Sequence, residues 1–255
     1  MIPLLRPGRL FFATSIAVFG AQYIRYGKFP GGLPPIPPFT PGAPMLAYLV
    51  GVFLIAAAIA LVAKTKARLS AVLIGALFCL CAAAMIALRT TAVLHDGTMR
   101  TRALEPLALG AAAWILAGVL PRERTESLSS IIDKLATLGR YLFALSMIVF
   151  GIQHFLYVTF LVALIPAWIP AHPFWIYLTG AGMIAVGIAM LLRQQERLAA
   201  ICLGIMFLLW VIVLHVPRVL VHLHNGDELS SLFVALAFSG ASFIIATAAS
   251  RSRTS

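Results

Sequence analysis

The chain repeats its own pattern, and this internal duplication constrains the fold more than any single motif does. The segment Gly-Arg at positions 8–9 recurs at 139–140, and Val-Phe-Gly at 18–20 recurs at 149–151 with the same offset. Farther along, a slightly shorter offset aligns further pairs: Gly51 with Gly180, Gly75 with Gly204, Arg89 with Arg218, and His95 with His224. Two related halves are therefore expected.

The composition predicts that both halves lie in a membrane. The chain is 62% hydrophobic and 11% charged, with a mean hydropathy of +1.00, whereas a soluble domain is about half apolar and about a quarter charged. The lipid bilayer is therefore an expected partner. The net charge of +11 is explained by the orientation of basic loops, and no basic run is interleaved with aromatics, so no nucleic-acid role is predicted.

Eight predominantly apolar stretches are candidates to cross a bilayer, for which a helix needs about 20 residues. They are residues 10–26, 45–63, 70–88 and 106–120, then 141–157, 174–192, 198–216 and 231–249. Because each half has an even number of spans, both halves enter from the same side as parallel repeats. The fold class expected is therefore all-α, a polytopic membrane protein of eight transmembrane helices forming two four-helix bundles.

Basic residues predict the orientation. Of the 19 Lys and Arg residues, 13 fall at the termini or in connections on the same side as the termini, and six on the other side. By the positive-inside rule both termini are cytoplasmic. The expected division is a first repeat over 1–120, a cytoplasmic linker over 121–139 and a second repeat over 140–255. Within the linker, residues 127–137 have the apolar periodicity of a short interfacial helix.

The six histidines all map to the outer half of the protein or its outer loops. His215, Arg218 and His222 are spaced i, i+3 and i+7, so they share one helical face. Pro217 lies within this run and should bend the helix. On the fifth span, Gln153 and His154 lie roughly 20 Å beyond Arg140 at about 1.5 Å per residue. Polar side chains at that depth are costly unless they have partners.

Comparison of the halves favours a site in the second. His154, His215 and His222 stand where the first half has Tyr23, Ile86 and Val93. The ligand-binding candidates are Gln153, His154, His215, Arg218, His222 and His224, with the first-half residues Gln22, Arg89 and His95. No catalytic residue and no metal site is predicted, because the sequence has no nucleophile elbow, H-E-x-x-H or paired intramembrane carboxylates.

Structural roles are open for the same residues. Arg89 and Arg218 could extend along a helix end towards water, or could pair with Asp96 and with Asp227 or Glu228. Gln22 and Gln153 could be interhelical hydrogen bonds. His222 and His224, with Asp227 and Glu228, could belong to a solvated loop.

The second half resembles the DoxX-like membrane proteins. The resemblance rests on an opening Gly-Arg, the segment VFGIQHF at 149–155, the proline-broken IPAWIP at 165–170, a glycine-rich second span and a basic turn from Arg193 to Arg197. It implies a four-helix unit, present here as a tandem duplication, in a cytoplasmic (inner) membrane of bacterial type. It also implies a link to quinones or to other subunits of a membrane redox complex.

These observations lead to two functional hypotheses. In the first, the chain is a redox-associated membrane subunit that binds quinone or another lipophile near the outer face, with His154 and His215 hydrogen-bonding a carbonyl or relaying a proton and Arg218 stabilising an anionic group. Paired histidines could instead ligate haem, although no spacing demands it. The alternative is a non-catalytic structural or accessory subunit, or a small-solute carrier.

Overall fold

The protein is α-helical wherever its structure is described. The computed structural model describes residues 4–28, 42–122, 129–222 and 225–251, and these contain no strand. In chain order the helices are α1 Leu5–Tyr26, α2 Ala43–Ala63, α3 Ala67–Leu88, α4 Thr90–His95, α5 Gly97–Val119, α6 Ser129–Leu156, α7 Val158–Val162, α8 His172–Leu192, α9 Glu196–Trp210, a π-helical segment Val211–His215, α10 Val216–Val221 and α11 Gly226–Arg251.

Seven helical stretches of the described chain are long and apolar enough to cross a membrane. They are α2, α3, α5, α6, α8 and α11, together with the continuous stretch from α9 through the π segment to α10. Seven such helices are typical of a multi-pass membrane protein, which is what the composition predicts. The first expected span is helical as α1, but it is not among the seven, and it carries the charges of Arg6, Arg9 and Arg25.

The fourth span begins well before the predicted residue 106. Helix α5 starts at Gly97 because the side chain of Asp96 caps it, accepting hydrogen bonds from the backbone N–H groups of Thr98 and Met99. Pro106 lies inside this helix, and a proline within a membrane helix is tolerated where its neighbours satisfy the freed backbone groups. The start predicted at Pro106 is therefore wrong.

The expected interfacial helix and the fifth span are one helix. Helix α6 runs without interruption for 28 residues, about 42 Å at 1.5 Å per residue, so it is longer than the roughly 30 Å hydrocarbon layer. No proline interrupts it, and Gly139 lies where a Cβ would be 2.5 Å from the carbonyl oxygen of Ala111 on α5. Residues 129–139, expected in the linker, belong to this helix, whereas 123–128 lie outside the described residues.

The seventh span is irregular next to Pro217, where the sequence predicts a bend. The irregularity is the π segment, in which the N–H of Val216 donates to the carbonyl of Val211, five residues earlier. Proline lacks an N–H and its ring would collide with the carbonyl four residues before it, so the widened turn accommodates Pro217. One consequence is that His215 lies in the π segment itself.

The last long helix of each half packs against the first helix of the other half. Helix α1 packs on α2 and α11, α6 packs on α8 and α5, and α5 contacts α11 between them. At the α1–α11 crossing, a Cβ added to Gly8 would lie 2.9 Å from the carbonyl oxygen of Gly240, so small residues allow the close approach. The two halves of the chain are therefore in contact through α1 with α11, α5 with α6, and α5 with α11.

Helix starts recur at a constant interval. Helices α2, α3 and α5 begin at positions 43, 67 and 97, and α8, α9 and α11 begin at 172, 196 and 226, so each start in the second half follows its counterpart by the same distance along the chain. Glycine contacts recur with them. A Cβ on Gly20 would lie 2.6 Å from the carbonyl oxygen of Gly51, and one on Gly151 would lie 2.5 Å from that of Gly180.

Candidate functional site

Gln22 joins α1 to the first turn of α11. Its Nε2 donates to the carbonyl oxygen of Gly226 at 2.9 Å, and its Oε1 accepts from the hydroxyl of Ser230 at 3.2 Å. The side chain is buried, and both of its polar atoms have partners. These bonds connect the two halves and satisfy the buried amide of Gln22.

Gln153 makes the corresponding contact between α6 and α5. Its Nε2 donates to the carbonyl oxygen of Gly97 at 3.0 Å and to the hydroxyl of Thr101 at 3.2 Å. Gly97 and Thr101 are the first-half equivalents of Gly226 and Ser230, so each glutamine reaches the same two positions of the other half. Unlike the amide oxygen of Gln22, Oε1 of Gln153 is enclosed without a hydrogen-bond partner.

His154 lies on the face of α6 that packs against α8. Its Nδ1 is 2.8 Å from the carbonyl oxygen of Phe150, and since a carbonyl only accepts, Nδ1 carries the hydrogen. The neutral ring therefore presents Nε2 as an acceptor. A Cβ added to Gly180 would lie 2.7 Å from the Cβ of His154, so only glycine at this position leaves room for the His154 side chain.

His215 is half-buried in the π segment. Its Nδ1 is enclosed and has no hydrogen-bond partner in the described structure. Enclosed polar atoms are almost always paired in proteins, and π-helical turns occur frequently at functional sites. The structure records no hydrogen bond between His215 and His154 among the described residues, so it does not join the two histidines that the sequence favours most.

Arg218 forms an ion pair with Glu228 at the start of α11. Its Nη2 lies 2.7 Å from Oε1 of Glu228, and the two side chains are 28% and 15% exposed, which makes this pair partly desolvated. Of the carboxylates predicted as partners, the structure selects Glu228. The second carboxylate oxygen, Oε2, is enclosed without a hydrogen-bond partner.

His215, Arg218 and Glu228 form what we call the His215 cluster. His215 and Arg218 lie three residues apart on one continuous helical stretch, and Arg218 is paired with Glu228, so the three groups lie in one region of the fold. The cluster contains an imidazole nitrogen and a carboxylate oxygen whose hydrogen-bonding capacity is unused. Such a set can bind a ligand that offers both a donor and an acceptor.

Glu228 was predicted as a possible partner of Arg218 but not as a site residue. The signal that could have found it is a comparison of the halves, because the equivalent residue of the first half is Met99. With Ile86 at the position of His215 and Met99 at that of Glu228, the first half keeps only Arg89 of the cluster.

The remaining candidates are exposed or belong to the first half. His222 is exposed at the end of α10, where its backbone N–H donates to the carbonyl oxygen of Arg218 at 3.0 Å. Arg89 and His95 are exposed at the two ends of α4. Arg89 has no ion pair among the described residues, and Asp96 caps α5 instead of pairing with it. His224 lies outside the described residues.

A second buried ion pair was not predicted. Nη2 of Arg140 on α6 lies 2.6 Å from Oε2 of Glu196 at the start of α9, with side chains 15% and 5% exposed, and it also donates to the carbonyl oxygen of Met190 at 3.2 Å. From the sequence, Arg140 was used as a marker of the repeat, of depth and of orientation, and no carboxylate partner was predicted for it.

No metal centre accompanies the His215 cluster in the described structure. Within residues 4–28, 42–122, 129–222 and 225–251, no three His, Cys, Asp or Glu side chains come together as metal ligands would. An open groove of about 510 Å³ runs along the start of α6, at the opposite end of that helix from His154, and is lined by Ser129, Ser130, Asp133, Lys134 and Thr137. It is a surface feature separate from the expected site.

Comparison with known proteins finds similarity to a family over part of the chain. The family described as a domain of unknown function (DUF8561) matches residues 143–237, which reach from α6 into α11. No curated protein and no solved structure matches the chain. The match covers most of the second half, where the His215 cluster lies.

Proposed function

We propose that this multi-pass membrane protein binds a lipophile with a hydrogen-bonding head group, of the quinone class, at the His215 cluster. The observation that carries the proposal is the coincidence of a partly buried ion pair with two enclosed polar atoms that have no partner, His215 Nδ1 and Glu228 Oε2. Ionisable residues at membrane depth are costly and usually functional.

The chemistry of the cluster suits a quinone carbonyl or quinol hydroxyl. A neutral imidazole offers one donor and one acceptor, so His215 can donate to a carbonyl or accept from a hydroxyl. Arg218 supplies a fixed positive charge, which favours an anionic form of the head group. The carboxylate of Glu228 holds Arg218 and provides a further acceptor.

We also propose the architecture of two related halves, a first repeat over 1–120 and a second over 140–255, joined by residues 121–139. The recurring helix starts, the paired glycine contacts and the matched bonds of Gln22 and Gln153 support it. On this proposal the protein is a tandem DoxX-like subunit of a bacterial-type cytoplasmic membrane, with both termini cytoplasmic and with other redox subunits as partners. The distribution of Lys and Arg supports the orientation.

A second candidate function is that of a non-catalytic accessory subunit or small-solute carrier. The observation that favours it is the internal pairing of polar groups. Both polar atoms of Gln22 bond to α11, and Arg140 bonds to Glu196 and to Met190. Groups of this kind hold helices together without a ligand.

Purification in mild detergent followed by mass spectrometry of extracted lipids, with absorption spectroscopy, separates the two candidates. We expect quinone to co-purify with the wild type and to be lost in His215→Ala and Glu228→Gln. The matched controls are Ile86→Ala and Met99→Gln, at the first-half positions equivalent to His215 and Glu228, and these variants should retain quinone. Absence of quinone and of any chromophore from every sample would favour the accessory or carrier function.

A further inference from the structure

Each half has a largely buried arginine on its first long helix, at equivalent positions of the repeat. In the second half this is Arg140, and its charge is compensated by Glu196, whose Oε2 lies 2.6 Å from Nη2. The carboxylate belongs to the first turn of α9. The second half thus contains its own anion for the buried arginine.

The first half buries the equivalent Arg9 without a carboxylate. The first-half residue at the position of Glu196 is Ala67, at the start of α3. Arg9 is 7% exposed, its Nε is enclosed without a hydrogen-bond partner, and the described residues give none of its guanidinium nitrogens a hydrogen bond or ion pair. Burying a charge without a partner is costly.

The ends of α1 and α2 near the missing carboxylate are basic, and Arg68 in the first turn of α3 has the half-exposed carboxylate of Asp133 3.8 Å from its Nη2. Helix α3 has no acidic residue in its first turn and no side-chain cap, so the N–H groups of that turn remain available to an anion. Arg6 lies one turn before Arg9 on α1, and Lys64 ends α2 at the same end of the helix pair. A ligand here would therefore be an anion.

We propose that a phosphate group binds at Arg9 in the first half, in the place that the carboxylate of Glu196 takes in the second half. The guanidinium of Arg9 and the first-turn N–H groups of α3 are its donors, as charge-assisted hydrogen bonds. Because the site lies at the end of membrane-crossing helices, a lipid phosphodiester is the source, and free phosphate shares the same chemistry. The site is separate from the His215 cluster and does not depend on its function.

Reciprocal variants test this inference. Native mass spectrometry would count phosphatidylglycerol molecules that stay bound during a titration of the purified full chain. Relative to wild type, we expect Arg9→Gln and Ala67→Glu each to bind the tightest lipid about tenfold more weakly. Ala67→Glu supplies the carboxylate internally and keeps Arg9, so its result does not depend on whether Arg9→Gln folds. Glu196→Ala should gain a second tight lipid.

A parallel measurement separates the two sources of phosphate. Thermal unfolding in detergent, with inorganic phosphate or chloride at equal ionic strength, reports the free ion. Protection of wild type but not of Ala67→Glu by inorganic phosphate, without selective retention of phosphatidylglycerol, would assign the site to free phosphate. Equal lipid affinity and equal phosphate response in wild type and Ala67→Glu would overturn the proposal.

Discussion

The two halves of this protein share their helix positions but differ in where they place charge. Three helix starts in each half follow at a constant interval, and Gln22 and Gln153 each donate to the equivalent glycine carbonyl of the other half. The second half then adds the ion pairs Arg140–Glu196 and Arg218–Glu228, where the first half has Ala67 and Met99 as carboxylate equivalents. The glutamine contacts therefore belong to what the halves share, and the carboxylates Glu196 and Glu228 are additions of the second half.

The largest effect expected is on the buried ion pair of the second half. Glu196→Gln leaves Arg140 without its carboxylate, and breaking a buried pair costs about 3–5 kcal/mol. The free energy of unfolding, measured with denaturant in detergent, should fall by an amount in this range. Arg197→Gln changes an exposed neighbour and should alter stability by less than about 0.5 kcal/mol. Similar losses for both variants would show that the pair is not stabilising.

Next come the glycine contacts that both halves share. Gly20→Ala and Gly151→Ala would each force a Cβ to within 2.6 Å of a backbone oxygen, and overpacking of this kind costs about 1–3 kcal/mol. Both variants should lower the midpoint of thermal unfolding. Gly182→Ala is the matched control, because the nearest atom to its added Cβ is 3.8 Å away. If only one of the two shared sites is sensitive, the halves are not equivalent in packing.

A smaller effect is expected at the two glutamines. Gln22→Leu and Gln153→Leu each remove hydrogen bonds between α1 and α11 or between α6 and α5, at about 1 kcal/mol per neutral bond. Because Oε1 of Gln153 has no partner, Gln153→Leu should cost less than Gln22→Leu. Denaturant unfolding of the two variants side by side checks the order. A reversed order would mean that Oε1 of Gln153 has a partner in the membrane, such as a bound water.

The smallest effect on stability is expected at the His215 cluster, where the change should appear in binding. Glu228→Gln keeps an acceptor for Arg218 but removes the charge of a partly exposed pair, worth about 1 kcal/mol or less. The unfolding midpoint should therefore move little while quinone retention falls. A loss of stability as large as that of Glu196→Gln would indicate that Glu228 is structural.

The helices themselves were predictable because apolar length and repeated glycines determine them. Two kinds of feature were not. The continuous α6 escaped prediction because the polar start of this helix resembles a separate interfacial segment, and no proline or loop residue marks a break. The packing of α1 on α11 could not be predicted. A duplicated sequence indicates which helix surfaces pack together, but it does not say whether the packing helix comes from the same half or from the other half.

The site was only partly predictable for a related reason. Pro217 indicated the irregular turn that contains His215, and the spacing placed Arg218 beside it. Glu228 was treated as part of a loop because it precedes the expected start of the last span, whereas α11 begins at Gly226 and brings this carboxylate to Arg218. His154 was predicted at a depth similar to that of His215, but it packs on Gly180 of α8. The depth of a residue in the membrane does not determine which neighbouring helix it faces.

Photo-crosslinking with a photoreactive quinone analogue, mapped by mass spectrometry of the purified chain, tests the central claim most directly. We expect labelled peptides within residues 211–222 and at the start of α11. Unlabelled quinone should compete with this labelling, His215→Ala should abolish it, and Ile86→Ala should leave it unchanged. Equal labelling of the equivalent first-half residues 82–99, or labelling that persists in His215→Ala, would contradict it.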